Sequence, residues 1–109
     1  VVENLPCAVS VFDREHRLIA HNQQFRTLLA FPDKLFEGEP TLEDFVRYDI
    51  ERGEYGDDAP AAVIARVRQQ AATASRHVME RRHTGAVALE VRRAQMPGGG
   101  FVTTYMDIT

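Results

Sequence analysis

The sequence predicts an α+β domain, a five-stranded antiparallel sheet with helices packed over one face, in the order β-β-α-α-α-β-β-β. Three observations carry this. Two short runs rich in strand formers flank a polar break near the start. The middle of the chain holds apolar residues at helical spacing. The last third holds three strand-like runs separated by turn residues, and their direct succession favours antiparallel pairing.

Residues 8–13 (Ala-Val-Ser-Val-Phe-Asp) and 17–21 (Arg-Leu-Ile-Ala-His) read as the arms of a hairpin around Arg14-Glu15-His16. Asn22 is a good helix cap because its side chain accepts from free first-turn N–H groups. Phe25, Leu28 and Leu29 follow at helical spacing, and Pro32 stops that helix. Thr41 caps a second helix, with Glu43 and Asp44 at its electropositive start. Leu42, Phe45, Val46 and Ile50 form its buried stripe and Gly53 ends it. Asp57 and Asp58 are candidate caps for a third helix with Pro60 in its first turn and Val63, Ile64, Val67 and Ala71 on its apolar side. Strands are expected over 77–82, 87–94 and 101–108, separated by a Thr84-Gly85 turn and by Pro97-Gly98-Gly99-Gly100.

Composition narrows the class. The chain has 109 residues, 44% hydrophobic and 27% charged, which suits one domain spanning 1–109. A chain of this size buries roughly two-thirds of its unfolded surface and needs no disulfide or metal support. Its single cysteine, Cys7, cannot form an internal bridge. No apolar run approaches the roughly 20 residues of a spanning helix, so a soluble, cytoplasmic domain without membrane insertion is expected. The chain opens on Val1 and closes on Asp107-Ile108-Thr109, and it is expected to be cut from a longer protein.

The net charge of -3 conceals an asymmetry. Residues 1–58 hold 6 Lys/Arg against 13 Asp/Glu, whereas residues 59–109 hold 7 Arg against 3 acids. The two halves can attract each other within the fold or across a dimer. The arginines are spread along a helix and several strands rather than clustered with aromatics, which argues against nucleic-acid binding.

Together the ordered residues resemble a PAS domain, over nearly the whole chain from Ala8 to Thr109. Val11-Phe12-Asp13, Arg17-Leu18-Ile19, Asn22, Phe25 and Leu28-Leu29 are similar to that family's opening. The Gly85 turn, Leu89-Glu90-Val91-Arg92, the Gly98-Gly99 turn and the closing Asp107-Ile108-Thr109 are similar to its end. Thr41-Leu42-Glu43-Asp44-Phe45 and Glu51-Arg52-Gly53-Glu54-Tyr55-Gly56 further resemble PAS modules of bacterial sensor histidine kinases. The resemblance implies a sensory or relay module whose terminal triplet leads, through Asp107 and Thr109, into a helix that carries signal to a C-terminal effector of the same chain. Diguanylate cyclases and transcription regulators carry similar modules, so a ligand-free interaction and dimerisation module in such a protein is the alternative.

The chemistry on offer is sparse. His16, His21, His77 and His83 show no i, i+4 pairing, and no second cysteine accompanies Cys7, so no metal site is expected. Haem-binding relatives draw an axial histidine from the helical middle, but residues 41–75 hold none, which leaves His77 as the sole substitute. Flavin-binding relatives need a cysteine on those helices or a tryptophan, and neither is present. Haem and flavin are disfavoured; an unidentified small molecule remains open. Neither Ser10 nor Ser75 sits in a nucleophile motif, the carboxylates of 49–58 are explained by capping and solubility, and Pro97–Gly100 lacks the features of a phosphate loop. No catalytic residue is assigned, and the fragment is not expected to be an enzyme.

Alternation places Leu89, Val91 and Arg93 on one face and Phe101, Thr103 and Tyr105 on one face. By similarity to PAS domains both sets lie under the helices, with Phe12, Phe25, Phe45, Tyr48 and Ile64 on the other walls. These residues either enclose a small-molecule cavity, with Arg93 available to an anion at its rim, or fill a dry core. The opposite face then carries Val9, Val11, Val102, Thr104, Met106 and Ile108, more apolar than solvent requires, and a homodimer is expected there.

Overall fold

The computed structural model describes residues 7–56, 58–73, 75–81 and 87–108, with the backbone alone at 75, 77 and 79–81. Five strands form one sheet: β1 (Cys7–Phe12), β2 (Leu18–His21), β3 (Ser75–Arg81), β4 (Val87–Gln95) and β5 (Phe101–Asp107). Their spatial order is β2-β1-β5-β4-β3, and every neighbouring pair is antiparallel. The helices α1 (Gln23–Thr27), α2 (Leu42–Glu51) and α3 (Pro60–Ala71) fall between β2 and β3 in the chain. The α+β class and the element order are those expected.

Local chemistry explains the elements. In the β1–β2 turn the Asp13 carboxylate accepts from the backbone N–H of Glu15 and of Arg17, both at 2.9 Å, and His16 takes a positive φ of 64°. Helix α2 carries a full capping box: the Thr41 hydroxyl accepts from the Asp44 N–H at 3.3 Å, and the Asp44 carboxylate accepts from the Thr41 N–H at 2.9 Å. Pro60 stands in the first turn of α3. At Gly100 φ is +84° and a Cβ would lie 2.5 Å from the Phe12 carbonyl oxygen, so the β4–β5 turn requires glycine there.

Several boundaries differ from expectation. Helix α1 is short and its chain turns through Ala30 at φ 56°, then forms an unanticipated 3-10 turn over Asp33–Phe36. Strand β3 begins at Ser75, because its ladder with β4 extends to Ser75–Arg93. Asp58 does not cap α3: the N-cap is Ala59 without a side-chain bond, and Asp58 instead pairs with Arg66 at 3.4 Å. Asp57, Arg82, His83, Thr84-Gly85 and Thr109 lie outside the described residues.

The core lies between the sheet and the helices. Ala8 and Phe12 of β1, Leu89 and Val91 of β4 and Phe101 of β5 meet Phe25, Leu42, Phe45, Val46, Val63 and Val67. Phe25, Phe31, Phe36 and Phe45 pack with centroids 5.0–5.9 Å apart in most pairings, and Phe12 stacks on Phe101 at 5.3 Å.

Candidate functional site

Strand register builds a polar row across the inner face of the sheet. His21 pairs with Ser10, Ser10 with Thr103, and Thr103 with Arg93. Apolar rows flank it, Ala8–Tyr105–Val91 on one side and Phe12–Phe101 on the other. Ser10 and Thr103 are fully buried and Arg93 is 9% exposed. Among the described residues neither the Ser10 nor the Thr103 hydroxyl has a hydrogen-bond partner. An unsatisfied buried hydroxyl costs about 1–3 kcal/mol, so two in adjacent strands are a feature that packing alone does not favour. The Arg93 guanidinium carbon lies 5.6 Å from the centroid of the Phe101 ring.

Beside this row, between the sheet and helices α2 and α3, is a cavity of about 240 Å³. It brings together Phe12, Phe25, Phe45, Val91, Arg93 and Tyr105 of the residues expected to line it. Leu89 and Thr103 face the same side but are buried in the sheet without lining the cavity. Ile64 turns away, because one residue beyond Val63 rotates it off the Val63–Val67–Ala71 stripe. It lines a separate pocket of about 200 Å³ with His16, Thr41 and Arg68. Tyr48 likewise falls on the far side of α2, in a groove with Lys34 and Glu51, where its ring packs 6.1 Å from Phe31.

The cavity also takes in Leu29, Phe31 and Asp49, which sequence reasoning left out of it. Asp49, one of the acids that capping and solubility explain on sequence alone, is only 5% exposed. The signal was its position four residues after Phe45 and seven after Leu42, on the buried stripe of α2. Arg52 answers its charge: Nε and Nη2 donate to Asp49 Oδ1 at 3.0 and 2.7 Å. The same guanidinium donates to the Ala30 and Leu29 carbonyls at 2.8 and 2.6 Å, and lies over the Phe31 and Tyr48 rings. The cavity carboxylate is thus already held by a cation.

On the outer face Val9, Val11, Val102 and Thr104 are half-buried, while Met106 and Ile108 are 46% and 45% exposed. This apolar strip follows β1 and β5. Over β3 and β4 the face is charged, with Glu90 accepting from Arg76 at 3.0 Å and from Arg92 at 2.8 Å. The Arg76 hydrogen bond, aided by that of Arg92, holds the Glu90 carboxyl below its ordinary pKa. Asp107, exposed at the end of β5, pairs in register with Leu89. His77 pairs with Val91, and its side chain lies outside the described residues. Among the described residues no group of three or more His, Cys, Asp or Glu is placed to hold a metal ion, and no helix is long and apolar enough to cross a membrane.

A family model described as PAS fold matches residues 2–109. Among solved structures, the PAS domain of an HTR-like protein from Haloarcula marismortui is similar, with a TM-score of 0.53 and 21% identity over 98% of this chain and 90% of that one. At that identity the likeness speaks to the fold. Comparison with the curated proteins finds no match.

Proposed function

The chain belongs to the PAS-fold family, and from that premise we propose that it is a signal-sensing or relay domain of a bacterial two-component sensor histidine kinase. It passes a ligand-dependent or dimer-dependent change of packing to a C-terminal effector of the same chain. The observation that carries this reading is the cavity between the sheet and α2–α3, because Tyr105 lines it and Asp107 stands two residues further along the same strand. Two strand residues span about 7 Å, so a ligand touching Tyr105 acts close to the end of β5. A ligand that binds one sheet–helix packing better than another shifts their populations by that difference in affinity. The ladder that holds the end of β5, Leu89 with Asp107 and the Ile108 N–H to the Ala88 carbonyl at 2.9 Å, carries the shift outward to Asp107 and Thr109.

The domain itself catalyses nothing in this scheme. It works in the cytoplasm, as part of a parent that is membrane-anchored elsewhere or not at all, without nucleic acid, haem or flavin. A homodimer forms through the β1–β5 strip. The exposed Met106 and Ile108 favour a second reading, a ligand-free interaction module that sets dimer geometry in a diguanylate cyclase or transcription regulator.

Autophosphorylation of the full-length parent tests the proposal. Tyr105→Leu and Asp107→Ala are each expected to change kinase output severalfold while the circular dichroism of the domain is preserved. Unchanged output in both variants, with the fold intact, contradicts signal transfer through β5.

A further inference from the structure

Charged groups inside the cavity between the sheet and α2–α3 are already engaged. Asp49 accepts two hydrogen bonds from Arg52, and Arg93 lies over the Phe101 ring. The deeper walls, among them Phe25, Leu29, Phe45 and Val91, are buried and apolar. Arg66 and Gln70 of α3 also line the cavity, but Arg66 is exposed and Gln70 half-buried, so they mark where it meets solvent. Each stands one residue before a member of the Val63–Val67–Ala71 stripe, about 100° round the helix. Four residues apart, they share one side of α3. We infer that the ligand is an amphipathic monocarboxylate, with its apolar body in the cavity and its carboxylate at the mouth, on Arg66 and Gln70. This rests on the cavity being the sensory site.

Charge and hydrogen-bond sense select the head group. A guanidinium presents its N–H donors in a fork that matches a carboxylate. Arg66 commits one nitrogen, Nη2, to Asp58 at 3.4 Å, and the two side chains are 50% and 55% exposed. An ion pair so long and so open contributes little, and it leaves Nε and Nη1 for a second carboxylate. The Gln70 amide adds a donor one turn further along α3. A cationic head would meet Arg66 as a like charge. A second charge deeper in the cavity would meet apolar walls and groups already engaged, which confines the ligand to one charged end. The cavity volume of about 240 Å³ exceeds the about 150 Å³ that takes a benzene ring, so the body is larger than one ring or is a chain of similar bulk.

The test uses three probes of one chain length, octanoate, octanol and octylammonium, titrated into the full chain and followed by backbone amide shifts at Phe45 and Val91 and by calorimetry. Octanoate is expected to bind about fivefold more tightly than octanol, and octylammonium more weakly than either. Arg66→Gln is expected to bring octanoate and octanol within about twofold of each other, with octanol itself unchanged. Asp58→Asn removes the competing carboxylate and is expected to strengthen octanoate about twofold while octanol stays as it was. Both positions are exposed, so neither variant removes core packing. Equal binding of octanoate and octanol, tighter binding of octylammonium, or a preference for octanoate that survives Arg66→Gln overturns the inference and leaves the sensory cavity standing. Binding of none of the three at these amides removes both.

Discussion

Asn22 joins the first strand to the first helix through one buried side chain. Its Oδ1 accepts from the Val9 N–H at 2.9 Å and the Phe25 N–H at 3.1 Å, while Nδ2 donates to the Cys7 carbonyl at 2.9 Å. The helix-capping bond was legible in the sequence, because it spans three residues. The two bonds to β1 were not, since they depend on strand register 13 and 15 residues away. Asn22→Ala leaves backbone groups of β1 without partners and is expected to cost about 2–3 kcal/mol in urea unfolding. A loss below about 0.5 kcal/mol would show that those groups find other partners. Asp13 offers a pH prediction. The Arg17 backbone N–H bond, helped by that of Glu15 and by the Arg17 side chain, lowers its pKa below the ordinary 3.8. Because folding lowers this pKa, the stabilisation is present above the ordinary value and is lost as pH falls through the lowered one. A carboxyl titration followed by NMR is expected to place the Asp13 midpoint below 3.8; a midpoint at or above it would contradict the turn geometry.

At the scale of elements, alternation and helical periodicity were enough to place Val91, Arg93, Phe101 and Tyr105 on the helix-covered face. What they could not supply was the alignment of Ser10, Thr103 and Arg93 into one row, which the β4–β5 turn and the long-range pairing of β1 with β5 set together. The same limit applies to α2. Its apolar stripe was readable, but the burial of Asp49 depends on Arg52 folding back over Phe31 and Tyr48 to reach the carbonyls after α1. Arg52 therefore ties the end of α2 to the α1 turn. Arg52→Ala strands a buried charge and is expected to destabilise the fold by about 3 kcal/mol, with the Asp49→Leu/Arg52→Met double variant recovering much of the loss. Additive losses in the double variant would show that the two side chains act independently.

Across the whole molecule the charge asymmetry of the sequence is partly resolved within the fold, where Glu43 and Asp58 of the acidic half pair with Arg68 and Arg66 of the basic half. Ion pairs so exposed contribute little individually. The outer sheet face divides similarly, charged over β3–β4 and apolar along β1–β5, which gives a candidate interface a defined edge. Sedimentation at tens of micromolar is expected to show a dimer that Met106→Glu weakens at least tenfold, a clear outcome for a buried like-charge pair across a twofold axis. An unaltered dimer would move the interface elsewhere. The sensing scheme requires the cavity under α2 and α3 to hold a small molecule. Native mass spectrometry of the protein purified from its own cells tests this most directly. The claim predicts an added small-molecule mass on the wild type that disappears in Val91→Phe, which fills the cavity from the sheet side. Only the bare protein mass in the wild type, together with a crystal structure whose cavity is closed by side chains, would contradict it.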